Sequence, residues 1–327
     1  MAQMQTPLGG FRATLALGWV ALCVAGIVYA RIAQVPAWAA LPLILAFLLE
    51  YLFYLLPGFP ALRARVADRF APPQLALLLC VLAVLPYLAS SVGTGGFHWY
   101  AFTRLAILAA ALAFWYVFQR AGIVADLSFL TLVAAVALSH FFQQVYLDPV
   151  PNLNSHILGR LMLIRHAALC VLLVRGGVSI NYGFWPAWRD WLVGSAHFLL
   201  FLPIGVVLAL WLRVQVFQPF QKPAWKIALT FVGMLWVVAL GEEFLFRGLL
   251  LQWFQDWTRK TQLALLISSI LFGAVHLPFR AFPNWRFALI AAVAGWFYGR
   301  AYLKTGSIRA PMVAHALTNT AWRLLFN

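Results

Sequence analysis

Between residues 13 and 325 the chain returns eleven times to an apolar run of membrane-crossing length. The runs lie near 13–31, 38–56, 74–92, 103–119, 122–144, 158–175, 191–212, 226–253, 261–277, 286–303 and 308–325. A helix rises 1.5 Å per residue, so about 20 apolar residues bridge the ~30 Å of hydrocarbon in a bilayer. Backbone amides find no water there, and only helices or closed barrels can cross. None of the runs alternates polar and apolar residues at the period of two that a barrel strand needs. They predict an all-α, polytopic transmembrane helix bundle of about eleven helices. Only 9% of the residues are charged, against about a quarter in a soluble domain, too few to cover a water-facing surface. The product is an integral, multi-pass membrane protein, of the plasma (inner) membrane if the source is bacterial.

The weakest run is 158–175, which Arg160, Arg165 and His166 interrupt; it is read as lining the interior or the interface. The N-terminal run carries the single charge Arg12 and continues past a signal-peptide core to Tyr29, so it reads as an uncleaved first helix. A net charge of +15 raises nucleic acid as a partner. The basic residues are scattered over connections and helix ends, however, which is the distribution of topology signals and headgroup anchors. Arg63, Arg65 and Arg69 in the connection 58–73 favour a cytoplasmic N-terminus, while Arg213, Lys222 and Lys226 weigh against it. Cys23, Cys80 and Cys170 all fall in apolar runs with no metal or redox spacing and read as small packed hydrophobes.

A polar side chain inside a membrane costs a few kcal/mol unless it is paired or faces a wet cavity. Glu50 and Asp126 are lone acids near helix ends, and His140, His166 and His197 are lone histidines in apolar runs. All five are read as hydrogen-bonding groups of helix packing.

Residues 226–325 differ, because their polar groups come in sets. Glu243 and Arg247 in "GEEFLFRG" are four apart, share a helical face and are expected to pair. Glu242 is turned about 100° away, with no partner on its own helix. In "FGAVH", Phe272 lies one turn below His276. Glu242 and His276 are equidistant from a turn near Arg259, so a helical hairpin brings them to one depth. In "HALTN", His315 and Asn319 share a face.

The three motifs EExxxR, FxxxH and HxxxN, in that order, resemble those of the CAAX protease and bacteriocin-processing family of intramembrane proteases, the type II CAAX prenyl endopeptidase-like family. The resemblance covers about residues 185–325, so the chain reads as an N-terminal transmembrane region of about six helices (1–184) and a protease-like core (185–327). It implies an endopeptidase acting on a membrane-tethered protein or peptide near its C-terminus. Glu242 matches the glutamate that activates water, His276 the histidine that orients it, and His315 and Asn319 the oxyanion pair. Glu243, Arg247 and Phe272 take supporting positions. The chemistry agrees, since amide hydrolysis needs a base for water, a proton for the leaving amine and donors for the oxyanion. Glu242, His276 and His315 also form a possible zinc set. Glu242 cannot easily be both ligand and base, and asparagine is a poor zinc ligand, so a metal-independent glutamate mechanism is favoured, with zinc the alternative. A non-catalytic scaffold or bacteriocin-immunity factor and a proton-coupled transporter are the competing classes. "GWFYG" places Gly295 and Gly299 at a spacing for close helix approach. The loop "HLPFRAFPNWR" reads as a rigid cavity mouth, and "INYGFWPAWRDWL" (180–192) as an interfacial segment.

Overall fold

The computed structural model describes residues 8–151, 153–176, 182–214, 223–279 and 282–326, which form fourteen helices and no strand. Lys222, Arg280 and the first two residues of the 180–192 segment lie outside the described residues. The chain divides into two compact units, Met1–Val178 and Ser179–Asn327.

In the first unit, the helices are α1 (Leu8–Ile32), α2 (Ala37–Leu55), α3 (Pro60–Arg69), α4 (Pro72–Gly93), α5 (Trp99–Ala113), α6 (Trp115–Phe118), α7 (Ile123–Leu138), α8 (Phe141–Val145) and α9 (Ile157–Arg175). Helix α9 is the most buried of them and packs on α2, α4 and α5. Its interrupting charges are the reason. The Arg165 guanidinium grips both carboxylate oxygens of Glu50, donates to the Leu82 carbonyl at 2.8 Å and lies 4.9 Å from the Phe53 ring. Ten residues on, Arg175 holds both oxygens of Asp126 at 2.7 Å, and the Tyr116 hydroxyl donates to the same carboxylate at 3.0 Å. The two lone acids are thus ion-paired across helices. His166 is buried and bonded at 2.9 Å to the Ala109 carbonyl of a neighbouring helix. His197 bonds its own helix at Val193, and His140 is exposed at a helix break, so neither bridges helices as expected.

The second unit contains α10 (Trp188–Trp211), α11 (Ala224–Thr258), α12 (Thr261–Ala274), α13 (Trp285–Thr305) and α14 (Arg309–Leu325). Helices α12 and α13 pack against each other, α10 lies on α13 and α14, and α11 contacts α12 and α14. Arg259, left-handed at φ 55°, ends α11 and turns the chain into α12.

Each of the eleven expected runs overlaps a helix, but among the described residues six helices are long and apolar enough to cross a membrane: α1, α2, α4, α9, α10 and α11. The count of eleven spans is not confirmed. The run 103–119 breaks at Phe114. The run 122–144 breaks at Ser139, whose hydroxyl donates to the Val136 carbonyl and accepts from the Phe141 amide, competing with the helical ladder. The connection 58–73, read as a loop, carries the exposed helix α3. Part of the 180–192 segment turns inward: Tyr182 and Phe184 are buried, and the Trp236 indole donates to the Phe184 carbonyl.

Candidate active site

Helix α11 carries the two adjacent glutamates, and its winding is irregular around them. Residues Leu240–Glu243 form one α-helical turn between wider π-helical stretches at Met234–Ala239 and Phe244–Leu251. Such π segments inside α-helices are frequent at functional sites.

Glu243 is fully buried and ion-paired with Arg247 at 3.0 Å, the pairing their spacing predicts. Arg247 also donates to the Gly295 carbonyl at 2.8 Å, and its guanidinium carbon stands 4.5 Å from the Phe272 ring. Gly295 admits this approach: a Cβ there would meet Phe272 at 3.1 Å and Arg247 at 3.3 Å. As a carboxylate, Glu243 can only accept a hydrogen bond. Glu243 therefore accepts the Nδ1 proton of His315 at 2.7 Å. That contact fixes the tautomer of His315 and leaves Nε2 as the nitrogen available for chemistry.

Nε2 faces Glu242, whose Oε2 lies 3.8 Å away, is itself buried and has no hydrogen-bond partner among the described residues. The rest of the Glu242 side chain is about a third exposed. In the neutral imidazole both facing atoms are acceptors. At 3.8 Å they are too far apart to bond directly and well placed to share one donor, such as a water.

His276 departs from expectation. Helix α12 stops at Ala274, so the histidine lies in the turn beyond it. Its Nδ1 donates to the Phe272 carbonyl at 2.7 Å, satisfying one of the orphan carbonyls at the helix end. Its ring stands 5.0 Å from Phe272, which also packs against His315 at 5.6 Å. Among the described residues no hydrogen bond or ion pair joins His276 to Glu242. Asn319 is half-buried, and its amide contacts the Met234 sulfur at 3.7 Å, a weak acceptor that a better one would displace. In the loop after His276, the Asn284 side chain caps α13 by accepting from the Phe287 amide.

Residues 224–321 match the protein family described as type II CAAX prenyl endopeptidase Rce1-like. This region is of the CAAX protease family. The match begins at the start of α11 and takes in all three motifs, leaving the first unit outside it. No curated protein and no solved structure matches the chain. The CAAX protease family is a membrane-embedded peptidase family, which implies a bilayer around the protein and a peptide as substrate.

Within this CAAX protease region, no group of three His, Cys, Asp or Glu among the described residues is arranged to hold a metal ion. The zinc set Glu242, His276 and His315 does not fit the donor positions as they stand. Sequence reasoning missed Tyr298, which is buried and stacked on His315 at 4.9 Å and 16°. The available signal was a tyrosine in mid-helix, whose hydroxyl demands a partner once buried.

Proposed function

We propose that the protein is an intramembrane endopeptidase that hydrolyses a peptide bond near the C-terminus of a membrane-tethered protein, with Glu242 as general base. The observation that carries this reading is the pair of acceptors, Glu242 Oε2 and His315 Nε2, 3.8 Å apart beside a partly open carboxylate. A water bridging them has its oxygen lone pairs free. One proton passes to Glu242 as the oxygen bonds the scissile carbonyl carbon; Glu242 then delivers it to the amine nitrogen as the C–N bond breaks. Asn319, with its loosely held amide, donates to the oxyanion. His276 takes no part in this bridge: its Nδ1 donates to the Phe272 carbonyl, so its Nε2 is a third acceptor, and both protons of the water are already taken. Glu243 and Arg247 keep His315 in the required tautomer.

The test uses the full chain in phospholipid vesicles with two fluorogenic peptides, one bearing a C-terminal lipidated cysteine and one anchored by an apolar helix. Glu242→Gln is expected to lower kcat by a factor of about 100 or more while leaving the melting temperature in detergent unchanged, since Glu242 Oε2 holds no hydrogen bond among the described residues that the change would remove. Cleavage of either peptide by the variant at the native rate overturns the assignment. A native protein that cleaves no peptide across a broad tethered panel favours the scaffold class.

A further inference from the structure

Tyr298 has no part in the chemistry proposed above, yet its ring touches both partners of Glu243, His315 and Arg247. Its ring lies face-on to the imidazole at 4.9 Å and 16°, and 5.4 Å from the Arg247 guanidinium carbon. Phe272 closes another side, edge-on to the imidazole at 5.6 Å and 86°.

The hydrogen bond to Glu243 pins one ring nitrogen but does not fix the ring plane. An imidazole held at Nδ1 can still tilt, and a tilt moves Nε2 away from Glu242. A flat, buried ring stacked on the imidazole removes that freedom, because tilting breaks the stack on one side and strikes Phe272 on the other. Aromatic pairs of this geometry contribute beyond simple burial. We infer that Tyr298 is a positioning residue: it sets the plane of His315 so that Nε2 stays directed at Glu242. The same ring rests against Arg247, so it holds both partners of Glu243 at once. This inference rests on the peptidase reading for its kinetic consequence, though not for its structural one.

The experiment compares the native chain with Tyr298→Phe and Tyr298→Met. Phenylalanine keeps the stack and loses the hydroxyl; methionine fills much of the volume and loses the plane. The phenylalanine variant is expected to stay within about threefold of native kcat and the methionine variant to fall by roughly tenfold, with KM unchanged in both. A structural readout accompanies the kinetics. With histidine selectively labelled with 15N and 13C, native His315 should show the Nδ1–H tautomer and ring protons shifted upfield by the stacked face, and Tyr298→Phe should preserve both signals. An unshifted His315 in the native protein overturns the inference and needs no variant to fold. So does a phenylalanine variant as damaged as the methionine one, which would move the role to the hydroxyl. If the native chain cleaves nothing while the shifted signal is present, the peptidase reading fails and the positioning geometry stands.

Discussion

Glu243 and His315, 72 residues apart in sequence, share a 2.7 Å hydrogen bond in the buried centre of the second unit. Glu243 takes charge from Arg247 on one side and a proton contact from His315 on the other, so the three side chains form one unit. Arg247→Leu leaves a fully buried carboxylate facing only an imidazole, and the predicted cost is about 3–5 kcal/mol. Glu243→Gln strands the arginine by the same logic. The double variant Glu243→Gln/Arg247→Leu should cost clearly less than the sum of the singles. Detergent-solubilised variants, unfolded in SDS and followed by circular dichroism, give the cycle; strict additivity would mean that the pair is not coupled.

Helix approach around the site makes a ranked prediction. A Cβ on Gly273 would stand 2.5 Å from the Ala288 carbonyl, which is backbone and cannot step aside. A Cβ on Gly299 would strike the Leu265 Cδ1, the far end of a flexible side chain. Gly273→Ala should therefore destabilise by about 1–3 kcal/mol, at the upper end of that range, and Gly299→Ala by less. Gly295→Ala falls between them in stability but should depress activity most of the three, since it presses on Phe272 and Arg247. The melting temperatures and the peptide cleavage rate decide the order, and a Gly299 variant less stable than the Gly273 variant would refute it.

These cases show what kind of information the sequence carries. Glu243 and Arg247 were legible because an i, i+4 pairing is local to one helix. The helices themselves were legible because bilayer crossing demands long apolar runs. The partners of Glu50 and Asp126 were not, because Arg165 lies 115 residues away from Glu50 and Arg175 lies 49 from Asp126, and no periodicity reports such distances. The apolar run continues to Leu277 and so predicts a helix through His276, whereas the His276 side chain helps end the helix by donating to the Phe272 carbonyl. Tyr298 was invisible because one more aromatic among apolar neighbours looks like packing. The short helices at 99–113 and 123–138 were overextended because hydropathy alone does not register a hydroxyl, such as that of Ser139, bonding backbone.

Arg175 and Asp126 meet through two parallel contacts of 2.7 Å, the geometry that a guanidinium offers and an ammonium does not. Arg175→Lys keeps the charge and gives up the fork. It should cost about 1.5–3 kcal/mol, the magnitude of one charged hydrogen bond. Tyr116, which donates to the same carboxylate, then becomes the remaining second donor, so Tyr116→Phe should hurt the lysine variant more than the native protein. Equal effects of Tyr116→Phe in the two backgrounds would show that the contacts do not act together.

The Glu50–Arg165 pair gives the sharpest test of what buried charge does in the first unit. Both side chains are nearly inaccessible, at 4% and 0% exposure. Removing either one leaves a full charge among apolar helices, so Arg165→Met and Glu50→Leu should each lower stability by about 3–5 kcal/mol. Replacing both with apolar groups removes the need for either charge, and in many proteins such exchanges are neutral or stabilising. Here the double variant should recover most of the loss but not all of it. Arg165 also donates to the Leu82 carbonyl and lies over the Phe53 ring, and methionine reproduces neither contact. The residual deficit should be about 1–3 kcal/mol, the cost of one buried carbonyl without a partner. Thermal unfolding of the four proteins in one detergent measures it. A double variant as unstable as the worse single would mean that the pair is held by its hydrogen bonds to the surrounding backbone rather than by charge neutralisation, and full recovery would mean that the Leu82 contact contributes nothing.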